Sequence, residues 1–262
     1  MRGILLCQLF DTFLNIFRRP KMISLYEVDF FRRSGYLKYE GIFSREEVRQ
    51  LKDLVLSHCQ RKVAPYLEDD LGRVYRLNQL FDREKLFREV LTNKVILDIL
   101  EPLIGPNNEF EKNRHNHATV NTARDTKFRL HRDVLQWSRN IVSVIVYLDD
   151  ATVDSGATYI IPSSQYLPFV GTPNNGGTWM DEHHVFAALL QQAVQIEVAS
   201  GGILVFDSLA FHSVGPNKGL GTRASITAGY TSVDELIKIE DNALREVVRG
   251  ERLYRGTIQL GD

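Results

Sequence analysis

The sequence lacks abundant cysteines and long runs of like charge, features that mark disulfide-rich proteins and proteins that bind nucleic acids or membranes. It holds two cysteines, Cys7 and Cys59, which are too few for a disulfide framework and match no metal-site spacing. A formal net charge of -1, with no long run of like charge, argues against bulk binding to nucleic acid or to anionic membranes. Internal repeats and low-complexity tracts are also lacking. We therefore expect an ordinary globular protein of the reducing cytoplasm that binds no nucleic acid.

The first residues are apolar but contain no long hydrophobic run. Asp11 and Asn15 interrupt the apolar positions between Met1 and Phe17, so this segment is too short and too broken to span a membrane. No small-residue cleavage site follows it. The segment fits either a short amphipathic helix or translated sequence upstream of a start at Met22. We treat residues 1–21 as an N-terminal extension and expect no membrane span.

The remaining residues, 22–262, are predicted to form a single domain. The capping box Ser44-Arg45-Glu46-Glu47 begins one helix, and apolar residues at helical spacing predict a second helix over 82–101, which Pro102 ends. This helical part covers about 22–104. A β core of about 109–230 follows, and a helix that starts at Ser232 opens the C-terminal part, 231–262.

Within the core the apolar period changes from helical to alternating. His115, His117, Thr119 and Asn121 fall two apart, so an extended chain presents them on one face. Many short strands with few helices between them favour a sandwich, barrel or jelly roll, which makes the fold class mainly β with flanking helices (α+β). The further predicted strands are Ile141–Leu148, Thr158–Ile161, Val194–Val198, Ile203–Phe206 and Ala224–Tyr230.

A small set of polar residues in this core has the composition of a metal site. On an extended His131-Arg132-Asp133, the imidazole and the carboxylate point the same way and Arg132 points the other way. A late histidine, His212, would complete a set of two histidines and one carboxylate, which is the facial arrangement of non-haem Fe(II) oxygenases. Arg223 follows, a planar cation suited to bidentate binding of a carboxylate.

Several further stretches carry a family resemblance. The chain resembles the phytanoyl-CoA dioxygenase family of Fe(II)- and 2-oxoglutarate-dependent oxygenases over about Tyr26 to Tyr230. The stretches that carry the resemblance are Phe30-Phe31-Arg32-Arg33-Ser34-Gly35-Tyr36-Leu37, the helix start at Phe43, His131-Arg132-Asp133 with Trp137, Asp154-Ser155-Gly156-Ala157-Thr158-Tyr159-Ile160-Ile161-Pro162-Ser163-Ser164-Gln165, Gly201-Gly202-Ile203-Leu204-Val205-Phe206-Asp207, and the block from His212 through Gly215-Pro216-Asn217 to Arg223.

The resemblance implies a double-stranded β-helix (a cupin-like jelly roll) and a set of site residues. Iron is expected on His131, Asp133 and His212, and 2-oxoglutarate and molecular oxygen are expected as cosubstrates. Where the family often has a serine two residues after the late histidine, this chain has Val214. Ser213 or Ser225 would then supply that hydrogen bond. The residues expected around 2-oxoglutarate are Arg223, Phe128, Trp137, Ser225 and Thr119.

The same resemblance implies hydroxylation of a small organic molecule, with release of succinate and carbon dioxide. Related halogenases replace the carboxylate ligand with a small residue, so the presence of Asp133 favours hydroxylation or another oxidation. His117, Arg139 and Trp179 are predicted to contact the substrate, which is either a CoA ester or a free metabolite. Two alternatives stay open: a cupin-type metal enzyme that does not use 2-oxoglutarate, and a catalytically silent ligand-binding β-helix protein. The oligomeric state, monomer or dimer, stays open as well.

Overall fold

The structure is a computed structural model of the chain and describes residues 23–122, 130–133, 141–167, 188–219, 221–235 and 244–252. No helix within these ranges is both long and apolar enough to cross a membrane. Some of the predicted features lie outside the described residues: the N-terminal extension, Phe128, Trp137, Arg139, Trp179 and the part of the expected C-terminal helix after residue 235.

The first two helices begin as their sequences dictate. Helix α1 spans Leu25–Ser34 and helix α2 spans Arg45–Gln60, and each follows a serine whose side chain caps it. At α2 the capping box is complete, because the Glu47 N–H donates to Ser44 Oγ at 3.3 Å and the Ser44 N–H donates to Glu47 Oε2 at 2.7 Å. The predicted start of this helix is confirmed.

The predicted helix over 82–101 is wrong as a single element. A 3-10 turn spans Leu80–Asp82, helix α3 spans Lys85–Leu91 and helix α4 spans Lys94–Ile104. The break occurs because Asn93 caps α4, its Oδ1 accepting the Val95 N–H at 2.8 Å. Pro102 does not end the helix but lies in its last turn, where the missing N–H costs a single hydrogen bond.

Twelve strands form two sheets in the described part of the chain. The strands are β1 Tyr36–Tyr39, β2 Tyr66–Glu68, β3 Val74–Asn78, β4 Asn108–Glu111, β5 Asn116–Asn121, β6 Val142–Tyr147, β7 Thr158–Ile160, β8 Val194–Ile196, β9 Ile203–Asp207, β10 His212–Val214, β11 Arg223–Ser232 and β12 Arg245–Arg249. The main sheet has the order β1-β9-β6-β11-β5-β3-β2, with β4 pairing β11 and β12, and the small sheet has the order β10-β7-β8. The predicted mainly-β jelly roll with flanking helices is confirmed.

The two faces of the main sheet serve different purposes, as the alternation of side chains along a strand requires. On β6, Val144 and Val146 belong to the apolar cluster shared with the helices. Ile145 and Tyr147 face the other way and pack with residues of the small sheet, including Ile160. The space between the two sheets is therefore partly apolar core, and the rest of it forms the cavity described next.

Strand β11 extends to the residue at which the C-terminal helix was expected to start. Ser232, its expected first residue, is the last residue of β11, and its Oγ accepts the Asp234 N–H at 3.2 Å. Residues 233–235 form a turn, and the helical residues predicted to follow lie outside the described ranges.

Candidate metal and cosubstrate site

Two segments distant in sequence lie side by side at the edge of the small sheet. The His131 N–H donates to the carbonyl of His212 and the His212 N–H donates to the carbonyl of His131, both at 2.9 Å. Directly paired residues of antiparallel strands share a face, and the two imidazole rings lie 4.5 Å apart between centroids. Asp133 follows two residues after His131, and its N–H donates to the carbonyl of Ser208 at 3.0 Å.

This pairing brings together the three side chains that the sequence singled out. Their ligand atoms lie within 4.8 Å of one another: Nε2 of His131 is 3.8 Å from Oδ1 of Asp133, and Nε2 of His212 is 3.5 Å from Oδ2. Nδ1 of His212 lies 3.0 Å from the carbonyl oxygen of Ala210, so Nδ1 carries the hydrogen and Nε2 keeps a free lone pair. Two imidazoles and one carboxylate are a donor set that fits a ferrous ion.

The electrostatics of Asp133 also suit a cation. Burial alone would raise the pKa of this carboxyl, but the nearby imidazoles of His115, His212 and His131 hold its pKa well below the ordinary value. The carboxylate is therefore charged at neutral pH although its side chain is only 5% exposed. A buried carboxylate surrounded by imidazoles attracts a positive charge to the point where they meet.

Arg132 points away from this cluster, as the alternation along the tripeptide predicts. Its Nη2 donates to the carbonyls of Ser164 at 2.6 Å and Leu167 at 3.0 Å, and its guanidinium lies 4.4 Å from the ring centroid of Phe211. Burial lowers the pKa of Arg132 to about 10, partly offset by the charge of Asp207. Arg132 therefore holds the segment from behind and does not reach the cavity.

A cavity of about 310 Å³ lies between the three clustered side chains and the main sheet. The strand register sets two rows of residues on the face of the main sheet next to this cavity, because directly paired residues share a face. The first row runs across β3, β5, β11 and β6 as Arg76, Thr119, Ser225 and Tyr147, and the next as Asn78, His117, Thr227 and Ile145. All of them except Tyr147 and Asn78 line the cavity. The predicted common face of His117, Thr119 and Asn121 is thus the inner face of the sheet.

Arg223 enters the same cavity from β11. It is 1% exposed, and neither its Nε nor its Nη1 has a hydrogen-bond partner among the described residues. Burial lowers its pKa, while Tyr147 and Asp149 act in the opposite direction. Buried guanidinium hydrogens without a partner are costly, and a carboxylate is the group that fits their planar fork. The site therefore fits the distal carboxylate of 2-oxoglutarate.

Two of the other residues expected around 2-oxoglutarate, Ser225 and Thr119, lie close to Arg223. Ser225 and Thr119 are direct cross-strand partners, and both line the cavity. Val214 lines it as well, in the place where the family often has serine. The Ser213 hydroxyl donates to the Val214 carbonyl at 3.3 Å, which leaves Ser225 as the serine that faces the cavity.

Two residues near Asp133 differ from the expectation or were missed. His115 does not lie on the strand with His117 but in the turn before β5, at φ 51°, where its Nε2 is 2.9 Å from Oδ2 of Asp133. The backbone turns there, so the alternation of side chains along β5 does not extend to His115.

Ser143 was not singled out from the sequence, although a serine in the valine-rich run of β6 was a visible signal. Its hydroxyl contacts both Asp133 and Ser208.

Comparisons with known proteins agree with this geometry. The profile of the phytanoyl-CoA dioxygenase family matches residues 31–225. No curated protein matches the chain with comparable significance.

Solved structures share the fold at low sequence identity. EctD from S. alaskensis with 2-oxoglutarate and 5-hydroxyectoine has a TM-score of 0.67 and 18% identity, with 82% of this chain and 78% of that chain covered. The epimerase SnoN with Fe3+, alpha ketoglutarate and nogalamycin RO has a TM-score of 0.65 and 18% identity, with 79% and 82% covered. HygX from Streptomyces hygroscopicus with nickel and 2-oxoglutarate has a TM-score of 0.64 and 15% identity, with 80% and 88% covered.

The family match spans most of the chain, and the fold likeness to EctD covers 82% of it. The chain belongs to the phytanoyl-CoA dioxygenase family and is a non-haem iron- and 2-oxoglutarate-dependent oxygenase.

Proposed function

We propose that this oxygenase hydroxylates a small organic molecule, with Fe(II) held by His131, Asp133 and His212. The reaction consumes 2-oxoglutarate and molecular oxygen and yields succinate, carbon dioxide and the hydroxylated product. One observation carries the proposal: the three metal-type ligands line one cavity together with Arg223, whose Nε and Nη1 have no hydrogen-bond partner among the described residues. A protein that only bound a ligand would have no chemical need for both.

The protein residues have separate tasks in this scheme. Arg223 binds the distal carboxylate of 2-oxoglutarate, with Ser225 and Thr119 beside it on the same sheet face. The carbonyl of Ala210 fixes the His212 ring so that Nε2 faces the metal position. Phe206 and Ile145 line the cavity with apolar surface that limits the access of water. Bound Fe(II) supplies the activation of oxygen, coupled to decarboxylation of 2-oxoglutarate.

The carboxylate ligand supports hydroxylation over halogenation. Asp133 occupies the position that a halide requires in the related halogenases, and it is held there by its backbone hydrogen bond to Ser208. The neighbours SnoN and EctD are crystallised with different organic molecules. The common fold therefore leaves the substrate to be identified by experiment.

Two measurements test the proposal. Anaerobic addition of Fe(II) and 2-oxoglutarate should produce a weak visible charge-transfer band, and admission of oxygen should then convert 2-oxoglutarate into succinate. With isotopically labelled dioxygen, one labelled atom should appear in succinate and one in the hydroxylated substrate.

A pair of variants separates the metal role from general damage. Asp133→Ala should abolish the band and the turnover, while Asp154→Ala, at an exposed position away from the cavity, should leave both unchanged. Circular dichroism of both variants checks that they are folded. Undiminished turnover in folded Asp133→Ala would show that the metal assignment is wrong.

A further inference from the structure

A second arginine in the cavity has no task in the scheme above. Arg76 lies on β3, two strands away from Arg223 on β11, a backbone separation of roughly 10 Å across the sheet. Its side chain is half-buried and lines the cavity together with the candidate metal ligands. The two arginines therefore reach the cavity from different strands and different rows of the sheet.

Arg76 forms no ion pair with any residue that the structure describes, although the charge of Asp133 acts on it from a greater distance. Among the described residues, no carboxylate lies within salt-bridge distance of its guanidinium, and its Nε is buried without a hydrogen-bond partner. Within the described ranges, its close polar contact is between Nη2 and Nδ1 of His117, at 2.9 Å. Arginine can only donate, so Nδ1 accepts and His117 is a neutral imidazole with its hydrogen on Nε2. This contact orients the guanidinium but supplies no negative charge.

The charges of the loaded site add to the argument. The ferrous ion, the Asp133 carboxylate, the 2-oxoglutarate dianion and Arg223 together carry no net charge. Among the described residues that line the cavity, Arg76 is then the charge left without a counter-ion. A half-buried cation without a counter-ion costs free energy unless a ligand supplies the opposite charge.

Arg76 also lies where the metal cavity meets two other cavities. One, of about 210 Å³, is lined by Arg76, Thr119, Asn121 and Asn217 among others, and the other, of about 230 Å³, is lined by Arg76, Asn78, Lys112 and His117 among others. None of the described residues that line these two cavities is acidic. A ligand that extends from the metal toward this side therefore meets donors and positive charge.

We propose that Arg76, oriented by His117, binds a carboxylate of the substrate, so that the substrates are small carboxylic acids oxidised at a carbon near the metal. This inference rests on the proposed function and specifies its substrate class. Arg76 is a binding residue in this scheme, with a role separate from that of Arg223. The planar fork of arginine favours a carboxylate, which it can bind through two parallel hydrogen bonds.

The test uses the whole protein loaded with Mn(II) and saturating 2-oxoglutarate, which does not require turnover. The probes are straight-chain monocarboxylates from acetate to octanoate, each compared with its uncharged primary amide. Proton NMR measures the paramagnetic broadening of each probe by bound Mn(II), and hence its affinity. We expect the best carboxylate to bind at least tenfold more tightly than its amide.

Three variants test whether Arg76 causes the preference for carboxylates over amides. Arg76→Gln should remove the difference between acid and amide, and Arg76→Lys should keep part of it because the charge remains. Arg73→Gln, at an exposed arginine of the same hairpin, should behave as the wild type. In all three variants the affinity for 2-oxoglutarate should be unchanged.

Several results would overturn the inference. Amides that bind as tightly as the acids, or a preference that survives in Arg76→Gln, would exclude Arg76 as the carboxylate site. A large loss of 2-oxoglutarate affinity in Arg76→Gln would assign this arginine to the cosubstrate. Wild-type protein that binds metal and 2-oxoglutarate but prefers no acid would refute only this inference, whereas failure to bind either would refute the proposed function as well.

Discussion

The hydroxyl of Ser143 donates a hydrogen bond to Oδ2 of Asp133 at 3.3 Å. Ser143 Oγ is also 2.8 Å from Ser208 Oγ, so Ser208 can donate to Ser143 while Ser143 donates to the carboxylate. Such partners behind a ligand fix its orientation, and their removal typically weakens metal binding by about 10- to 100-fold. We expect Ser143→Ala to lower the affinity for Fe(II) by roughly tenfold, as measured by anaerobic titration.

The matched control is Ser200→Ala. Ser200 donates its hydroxyl to the carbonyl of Leu148 at 3.1 Å and does not line the cavity. The Ser200→Ala protein should bind Fe(II) with the affinity of the wild type. Equal metal affinity in Ser143→Ala would mean that the hydroxyl does not support the ligand.

Arg223 is expected to lower the stability of the ligand-free protein while it makes binding of 2-oxoglutarate possible. Its guanidinium is buried with Nε and Nη1 unpartnered in the described chain, which destabilises the protein when no ligand is bound. We expect Arg223→Met to raise the free energy of unfolding of the ligand-free protein by about 1 kcal/mol or more, since apolar replacement of buried charge is often stabilising. Urea denaturation without metal measures this change.

The same variant should lose 2-oxoglutarate. Loss of a bidentate charged partner leaves the cosubstrate carboxylate unpaired, so its dissociation constant should rise by about 100-fold or more. Arg223→Lys keeps the charge but loses the planar guanidinium, so its dissociation constant for 2-oxoglutarate should lie between those of the wild type and Arg223→Met. A destabilised Arg223→Met protein that still binds 2-oxoglutarate normally would contradict both parts of this prediction.

A buried ion cluster fastens β12 to β4. Nη2 of Arg245 lies 2.8 Å from Oε1 of Glu111 and Nη1 lies 3.7 Å from Oε2 of Glu109, with all three side chains almost fully buried. Arg252 also pairs with Glu109. Arg245→Ala leaves Glu111 without this cation and should lower the free energy of unfolding by about 3–5 kcal/mol.

Urea denaturation measures the loss, and Arg49→Ala is the control because Arg49 forms its ion pairs at an exposed helix surface. The control should change stability much less. Folded Arg245→Ala should retain its affinity for 2-oxoglutarate, because none of the residues of the cluster lines the cavity. Equal stability of the two variants would show that the buried cluster contributes no more than a surface pair.

Asp69 closes the turn of the hairpin that carries Arg76. Its carboxylate accepts the N–H groups of Arg73 at 2.9 Å and Leu71 at 3.0 Å and the Nε–H of Arg73 at 2.9 Å. These hydrogen bonds, that of the Arg73 N–H first, lower its pKa to about 2. The folded value lies below the unfolded one, so the stabilisation is present above about pH 4 and is lost as the pH falls toward 2.

Carbon-13 NMR titration of the Asp69 carboxyl should give a midpoint near its lowered pKa. Asp69→Asn should remove this part of the pH dependence of unfolding. A midpoint at the ordinary value for aspartate would show that the turn does not hold the carboxylate in solution.

The strands and the candidate ligand set could be predicted because both depend on local patterns. A period of two places His131 and Asp133 on one face without knowledge of the rest of the fold. Asp149 and Asp150 after β6, and Gly201 and Gly202 before β9, mark the ends of these strands in the sequence. The approach of His212 was inferred from the order of the motifs and from the family resemblance.

What could not be predicted depends on contacts between distant segments. The row that joins Arg76, Thr119 and Ser225 exists only once β3, β5 and β11 are paired in register. The contact of Ser143 with Asp133 requires β6 to lie beneath the metal-type cluster. The helix break at Asn93 was missed because the apolar spacing continues across it, although the side-chain cap starts a new helix.

The order of strands in the main sheet separates two tasks. Arg223 lies on β11, flanked by β5 and β6, whereas Arg76 lies on β3, next to β2 at the end of the described strand order. Exchange of the hairpin over residues 66–78 would replace Arg76 itself and leave β5 and β6, the strands around Arg223, intact. Substitutions confined to this one hairpin, in evolution or by design, could thus change which substrates bind. The residues that hold the metal and 2-oxoglutarate would stay the same.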